Sequence, residues 1–140
     1  MTEKTRQEKK QEVCVIATAN NLTLLPPELL RKGRFDEIFF VDLPDDGERE
    51  AIWKIHLGLR KHDSTRFDLV KIVSASDGFS GSEIEQAVVA SLYRALHHKT
   101  PLTTDLLIEE LTHTMPLSVT RREDIDGLRQ MAQGRFVNVR

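Results

Sequence analysis

The hydrophobic pattern of this chain changes period at Pro44, and that change limits what it can build. Before Pro44 lie two short, continuous apolar runs rich in β-branched and aromatic residues, Val13-Cys14-Val15-Ile16-Ala17 and Glu37-Ile38-Phe39-Phe40-Val41-Asp42. Such runs suit strands covered on both faces, as in a parallel sheet. The stretch Pro44-Asp45-Asp46-Gly47 marks a boundary. Beyond it apolar residues recur at helical spacing, first Ile52, Ile55 and Leu59, then Leu69, Ile72 and Val73, then Ile84, Ala87, Val88, Ser91, Leu92 and Ala95, then Leu107 and Leu111, then Ile125, Leu128 and Ala132. Four or five helices are expected. Ser80 with Glu83, and Thr120 with Glu123, match the capping box, in which a hydroxyl and a glutamate satisfy orphan backbone donors reciprocally. Helix starts are therefore predicted near 80 and 120, with Gly134 as a stop for the last helix.

Two strands cannot stand alone, because a parallel pair needs crossover helices and further partners. Residues 1–45 thus read as a piece cut from an α/β sheet, and residues 46–140 as a self-sufficient helical bundle. The predicted fold class is an α/β remnant with two core strands, followed by an all-α unit and mainly α overall. With 39% apolar and 30% charged residues, the 140-residue chain falls among globular proteins. A net charge of −2 gives no whole-chain electrostatic case for nucleic acid or an anionic membrane. The basic stretch from Lys4 to Lys10 is interrupted by Glu8 and flanked by Glu3 and Glu12, and reads as a solvated helix face. The single Cys14, within an apolar run, is expected to be a small buried hydrophobe in a reducing compartment. No run approaches membrane-spanning length, so the cytoplasm is the expected location.

Three runs carry candidate chemistry, in the order Ala17-Thr18-Ala19-Asn20, Leu30-Arg31-Lys32-Gly33-Arg34-Phe35-Asp36, and Gly78-Phe79-Ser80-Gly81-Ser82-Glu83. Spacing alone leaves each open. Asn20 could be a turn residue, Arg31 and Arg34 a basic surface loop, Gly81-Ser82 a plain capped helix start, and His56 a structural histidine on an amphipathic helix. Together the runs resemble the C-terminal half of an AAA-family ATPase module, most of all a branch found in cyanobacteria and plastids.

The resemblance implies a role for each run. Asn20 takes the place of sensor 1, whose carboxamide positions the attacking water or touches the γ-phosphate. Arg31 and Arg34 take the place of arginine fingers that reach a neighbouring subunit's ATP, where a planar, always-charged guanidinium can clasp the spreading negative charge. Gly81 and Ser82 take the place of the sensor 2 helix start beside the nucleotide, with Ser82 where the family usually has alanine. His56 falls at a position near ribose and adenine. The two strands would then belong to a parallel P-loop sheet, residues 1–45 to the end of the nucleotide-binding core, and residues 46–140 to the helical lid with an added C-terminal helix hairpin.

The phosphate-gripping half is missing from the pattern, since no glycine is followed by Lys-Ser or Lys-Thr. Ile38-Phe39-Phe40-Val41-Asp42 imitates a Walker B strand, but Leu43 stands where the catalytic glutamate would be. The expected function is therefore the C-terminal segment of an AAA ATPase acting in a ring read as a hexamer on a protein substrate. ATP and Mg²⁺ would bind the complete module, and neither would bind this chain tightly by itself. Hydrolysis by the isolated chain is not expected. The alternative is a non-enzymatic module that docks onto an intact AAA ATPase and regulates it. His97, His98 and His113 are too loosely spaced for a zinc site, and no His-Glu-x-x-His occurs, so the membrane-bound AAA metalloproteases are expected to match poorly.

Overall fold

The computed structural model describes residues 14–19, 25, 26, 28, 36–133 and 136–139. They fall in two compact units, Met1–Phe35 and Asp36–Arg140. In the first, residues 14–19 carry no regular secondary structure and are all exposed. The strand expected at 13–17 is thus not present at its described positions, and Cys14 is exposed rather than buried. A β-branched run needs neighbouring strands to cover it, and the sheet pairing among the described residues does not include it.

The second unit is mainly helical. A two-residue strand β1 (Phe39–Phe40) precedes helix α1 (Asp46–Leu59). A 3₁₀ turn (Ser64–Arg66) leads to α2 (Leu69–Ala75), α3 (Gly81–His98) and α4 (Thr104–His113). A single helical turn, α5 (Leu117–Thr120), then α6 (Arg122–Ala132) and strand β2 (Val137–Asn138) complete the order. Helices follow Pro44 as the periodicity predicts, but α1 turns Trp53 and Leu57 inward while the expected Ile55 and Leu59 are exposed, and the second apolar run narrows to Phe39–Phe40. That strand pairs in parallel with β2, Phe39 opposite Val137 and Phe40 opposite Asn138, an association for which the sequence offered no signal.

Local chemistry explains the helix boundaries. Asp45 caps α1 in a full box, its carboxylate accepting from the Glu48 N–H at 2.9 Å while Glu48 accepts from the Asp45 N–H at 2.9 Å. The box expected at Ser80 and Glu83 is present and opens α3. The one expected at Thr120 and Glu123 is not. Thr120 ends α5 and its hydroxyl donates back to the Pro116 carbonyl at 3.5 Å, so α6 starts after Arg121 with no side-chain cap. The last described helix ends at Ala132, and Gly134 lies outside the described residues.

Helices α1, α3, α4 and α2 form a closed ring of neighbours, α1 against α3, α3 against α4, α4 against α2 and α2 against α1. Their inner faces supply the core: Trp53 and Leu57 from α1, Ile72 from α2, Ile84, Ala87 and Val88 from α3, and Leu107 and Leu111 from α4, with Phe79 beside them. Burying each of the larger side chains contributes about 1.5–3 kcal/mol. Trp53 is at the centre with no exposed surface, and its indole N–H donates to Ser76 Oγ at 3.1 Å. Ser76 in turn donates to the Val73 carbonyl at 3.1 Å, so the indole N–H and this hydroxyl are satisfied by one short chain.

Candidate functional site

Helices α1 and α3 lie side by side and run in the same sense, as their contacts show. A methyl group at Gly81 would rest 3.6 Å from Ile52 Cδ1, and one turn further on, Glu85 lies 3.7 Å from His56 Nδ1. Gly81 is therefore level with Ile52, and His56 faces Glu85 one turn further along the pair. Gly81 and Ser82 are the first two residues of α3, a helix of 18 residues whose N-terminal N–H groups and dipole favour an anionic neighbour. Ser82, Glu85, Gln86 and Tyr93 line an open concavity of ≈ 420 Å³ along the exposed side of α3. The contact at Gly81 is ordinary, so space within this unit does not by itself demand glycine there. Asn20, Arg31 and Arg34 lie outside the described residues.

Sequence reasoning passed over two residues here. Arg60, one helical turn beyond His56, donates to Glu85 at 2.9 Å and to the His56 carbonyl at 3.2 Å. Glu85 is held below the ordinary carboxylate range, first by that hydrogen bond from Arg60 and further by the electrostatic influence of the neighbouring His56 and Arg60. The result is a part-buried His-Arg-Glu cluster that fixes the histidine ring's surroundings. The i, i+4 spacing of His56 and Arg60 was visible, but nothing local in the sequence points from Arg60 to Glu85.

The start of α3 is held on several sides. Glu83 Oε2 accepts from the Ser80 N–H at 2.8 Å and from the Ser80 hydroxyl at 2.6 Å. Its other oxygen, Oε1, accepts from the Leu117 N–H at 2.8 Å. Just upstream, Gly78 has φ of 76°, where a side chain is strained, and a Cβ there would fall on Ser118 Oγ. On α1, the buried Arg49 donates to the Pro44 carbonyl at 2.8 Å and to Asp46 at 2.6 Å, and lies 3.4 Å from Asp77. The boundary at Pro44 and the loop before α3 are thus pinned by the same guanidinium.

The chain has no glycine-lysine loop for a triphosphate, and among the described residues no three His, Cys, Asp or Glu side chains converge as a cation site. No helix among the described residues is long and apolar enough to cross a membrane.

Residues 1–43 match the family model described as ATPase family associated with various cellular activities (AAA). Among curated proteins, the chain is 43% identical over 126 residues to the AAA domain-containing protein ycf46 of Guillardia theta, a match covering 89% of this chain and 25% of that protein. The corresponding protein of Trieres chinensis is 46% identical over 112 residues, covering 79% of the chain and 22% of the relative. The ATP-dependent zinc metalloprotease FtsH of Malacoplasma penetrans is 37% identical over 126 residues, 88% of the chain and 15% of FtsH. The metalloproteases therefore match better than the missing His-Glu-x-x-His led us to expect. The chain lacks that motif, so the shared stretch does not carry it. The chain spans between 22% and 26% of the length of its ycf46 relatives. No solved structure matches it significantly. These matches support membership of the AAA ATPase family.

Proposed function

We propose, with membership of the AAA ATPase family as the premise, that this chain supplies the C-terminal part of an ATP-hydrolysing module. In this reading residues 1–45 end the nucleotide-binding core and residues 46–140 form its lid. Asn20 orients the attacking water within its own subunit, Arg31 and Arg34 reach the nucleotide of a neighbouring subunit in a hexameric ring, and His56, Gly81 and Ser82 receive the adenosine end. Bound ATP with Mg²⁺ would supply the phosphoanhydride to be cleaved, held by residues this chain does not contain, so the chain alone is inactive. The product of the cycle is mechanical work on a protein substrate.

One conjunction carries the reading. The AAA match over residues 1–43 includes Asn20, Arg31 and Arg34, and it is followed by a closed four-helix unit whose α3 begins in the Gly78–Glu83 run. The family resemblance and the capped helix start support the same assignment from different parts of the chain. The test uses the full-length protein. Arg34→Ala should leave nucleotide binding nearly intact and cut hydrolysis by about 10³- to 10⁵-fold, because a finger acts on the transition state of its neighbour. Mixed with subunits lacking the phosphate-binding lysine, Arg34→Ala subunits should recover activity wherever an intact finger faces an intact pocket. A large loss of ATP affinity in Arg34→Ala, or no recovery in assembled mixed rings, would overturn the assignment.

A further inference from the structure

The described residues from Pro116 onward are fastened to the rest of the second unit at two separated places. At one end, the Leu117 N–H donates to Glu83 Oε1 at 2.8 Å and Ser118 sits against Gly78. At the other, Arg129 forms a two-pronged bridge to Asp42, and β2 runs parallel to β1. The segment therefore bridges both sides of Pro44, from the end of β1 to the start of α3.

We infer that Glu83 is a positioning residue through which this C-terminal segment sets the place of Gly81 and Ser82, so that fastening or releasing the segment tunes nucleotide affinity. The inference rests on the reading of the α3 start as nucleotide-facing. The argument is one of shared atoms. A single carboxylate both closes the capping box of α3 through Oε2 and satisfies the first N–H of α5 through Oε1. Losing the Leu117 bond leaves Glu83 free to turn toward solvent, and the box then holds Ser80 less firmly. Gly78 reinforces the link, because its positive φ and the nearby Ser118 place loop and segment in direct contact with no room for a side chain. A rotation of the helical unit about Pro44 would have to strain either the Glu83 tether or the Asp42 bridge. The segment is thus built to oppose that rotation until one fastening lets go.

Leu117→Pro isolates the tether. Proline lacks the N–H and is tolerated at the first helical position, and Pro116, at φ −68° and ψ 151°, already has the conformation required before a proline. Leu117→Ala is the control that keeps the N–H and loses the half-exposed side chain. Hydrogen exchange on the 140-residue chain should be about tenfold faster in the first turn of α3 for Leu117→Pro, unchanged there for Leu117→Ala, and unchanged in α4 for both. In the full-length enzyme Leu117→Pro should raise KM for ATP roughly three- to tenfold with kcat within about twofold, a split that general loosening of the fold would not give. Unchanged first-turn exchange in Leu117→Pro, or equal acceleration in Leu117→Ala, overturns the inference. An enzyme that depends on Arg34 but whose KM ignores Leu117→Pro overturns this inference alone, whereas one indifferent to Arg34→Ala overturns the ATPase reading and this inference with it.

Discussion

Arg129 clasps Asp42 across 87 positions of sequence, its Nε and Nη2 donating to the two carboxylate oxygens at 2.9 Å each. The contact raises the affinity of the guanidinium for its proton, chiefly through the Asp42 hydrogen bond. Because Arg129 is 43% exposed, the pair should stabilise by no more than about 1 kcal/mol. Its role is geometric. Arg129→Lys cannot reproduce the planar fork, so it should loosen residues 122–139 in hydrogen exchange while shifting the melting temperature by only about 2–5 °C. A double-mutant cycle with Asp42→Asn checks it. Additive effects would mean the two side chains do not act on each other.

Trp53 and Ser76 supply a second test, and the chain's single tryptophan makes the readout clean. Ser76→Ala leaves the buried indole N–H without its acceptor, which should cost about 1–3 kcal/mol. Trp53→Ala should cost about 3–5 kcal/mol, since it empties the middle of the core. Denaturant titrations followed by circular dichroism measure both, and fluorescence follows Ser76→Ala. A Ser76→Ala protein as stable as the parent would show that the hydrogen bond adds nothing net.

Acid should weaken the fold through three carboxylates. Asp63 is held below its ordinary range first by the Thr65 backbone N–H, Asp68 by the Lys71 backbone N–H, and Glu85 by Arg60. A carboxylate whose folded value is depressed stabilises fully above its unfolded value, and that contribution is lost as pH falls through the folded one. The melting temperature should therefore be flat with respect to these groups near neutrality and fall below about pH 4.5. Glu85→Gln should flatten the first part of that fall. A variant with the parent's acid profile would remove Glu85 from the account.

Much of the helical unit was legible because helices announce themselves locally. The run of Ile84, Ala87 and Val88 points into the core the periodicity required, whereas in α1 the core positions are Trp53 and Leu57, and the expected Ile55 and Leu59 are exposed. Ser80 and Glu83 make the predicted box. Errors arose where the same letters serve another purpose. Thr120 turns back on Pro116 and cannot cap α6, while Asp45 and Glu48 make a box inside a stretch that read only as a break. The run at 13–17 looked like a covered strand because composition reports what a segment would prefer to bury, and the described Val15 and Ile16 are instead 72% and 88% exposed. At the site, His56, Gly81 and Ser82 could be named from the resemblance. The contacts of Glu85 with Arg60 and of Leu117 with Glu83 could not, since each joins residues distant in sequence. Asn20, Arg31 and Arg34 lie outside the described residues, and their roles rest on the resemblance alone.

The pairing of β1 with β2 also sets an order of events. Phe39 and Val137 flank all the described helices, and bringing them together closes a loop that contains them. In an unfolded chain that closure carries the largest entropic cost of any contact here, and two residues of ladder return little for it. Once α1 to α4 have condensed, most of the intervening chain is already fixed and the remaining gap is short. The strand pair should therefore form after the folding barrier has been crossed, so that substitutions in it speed unfolding and leave the folding rate nearly untouched.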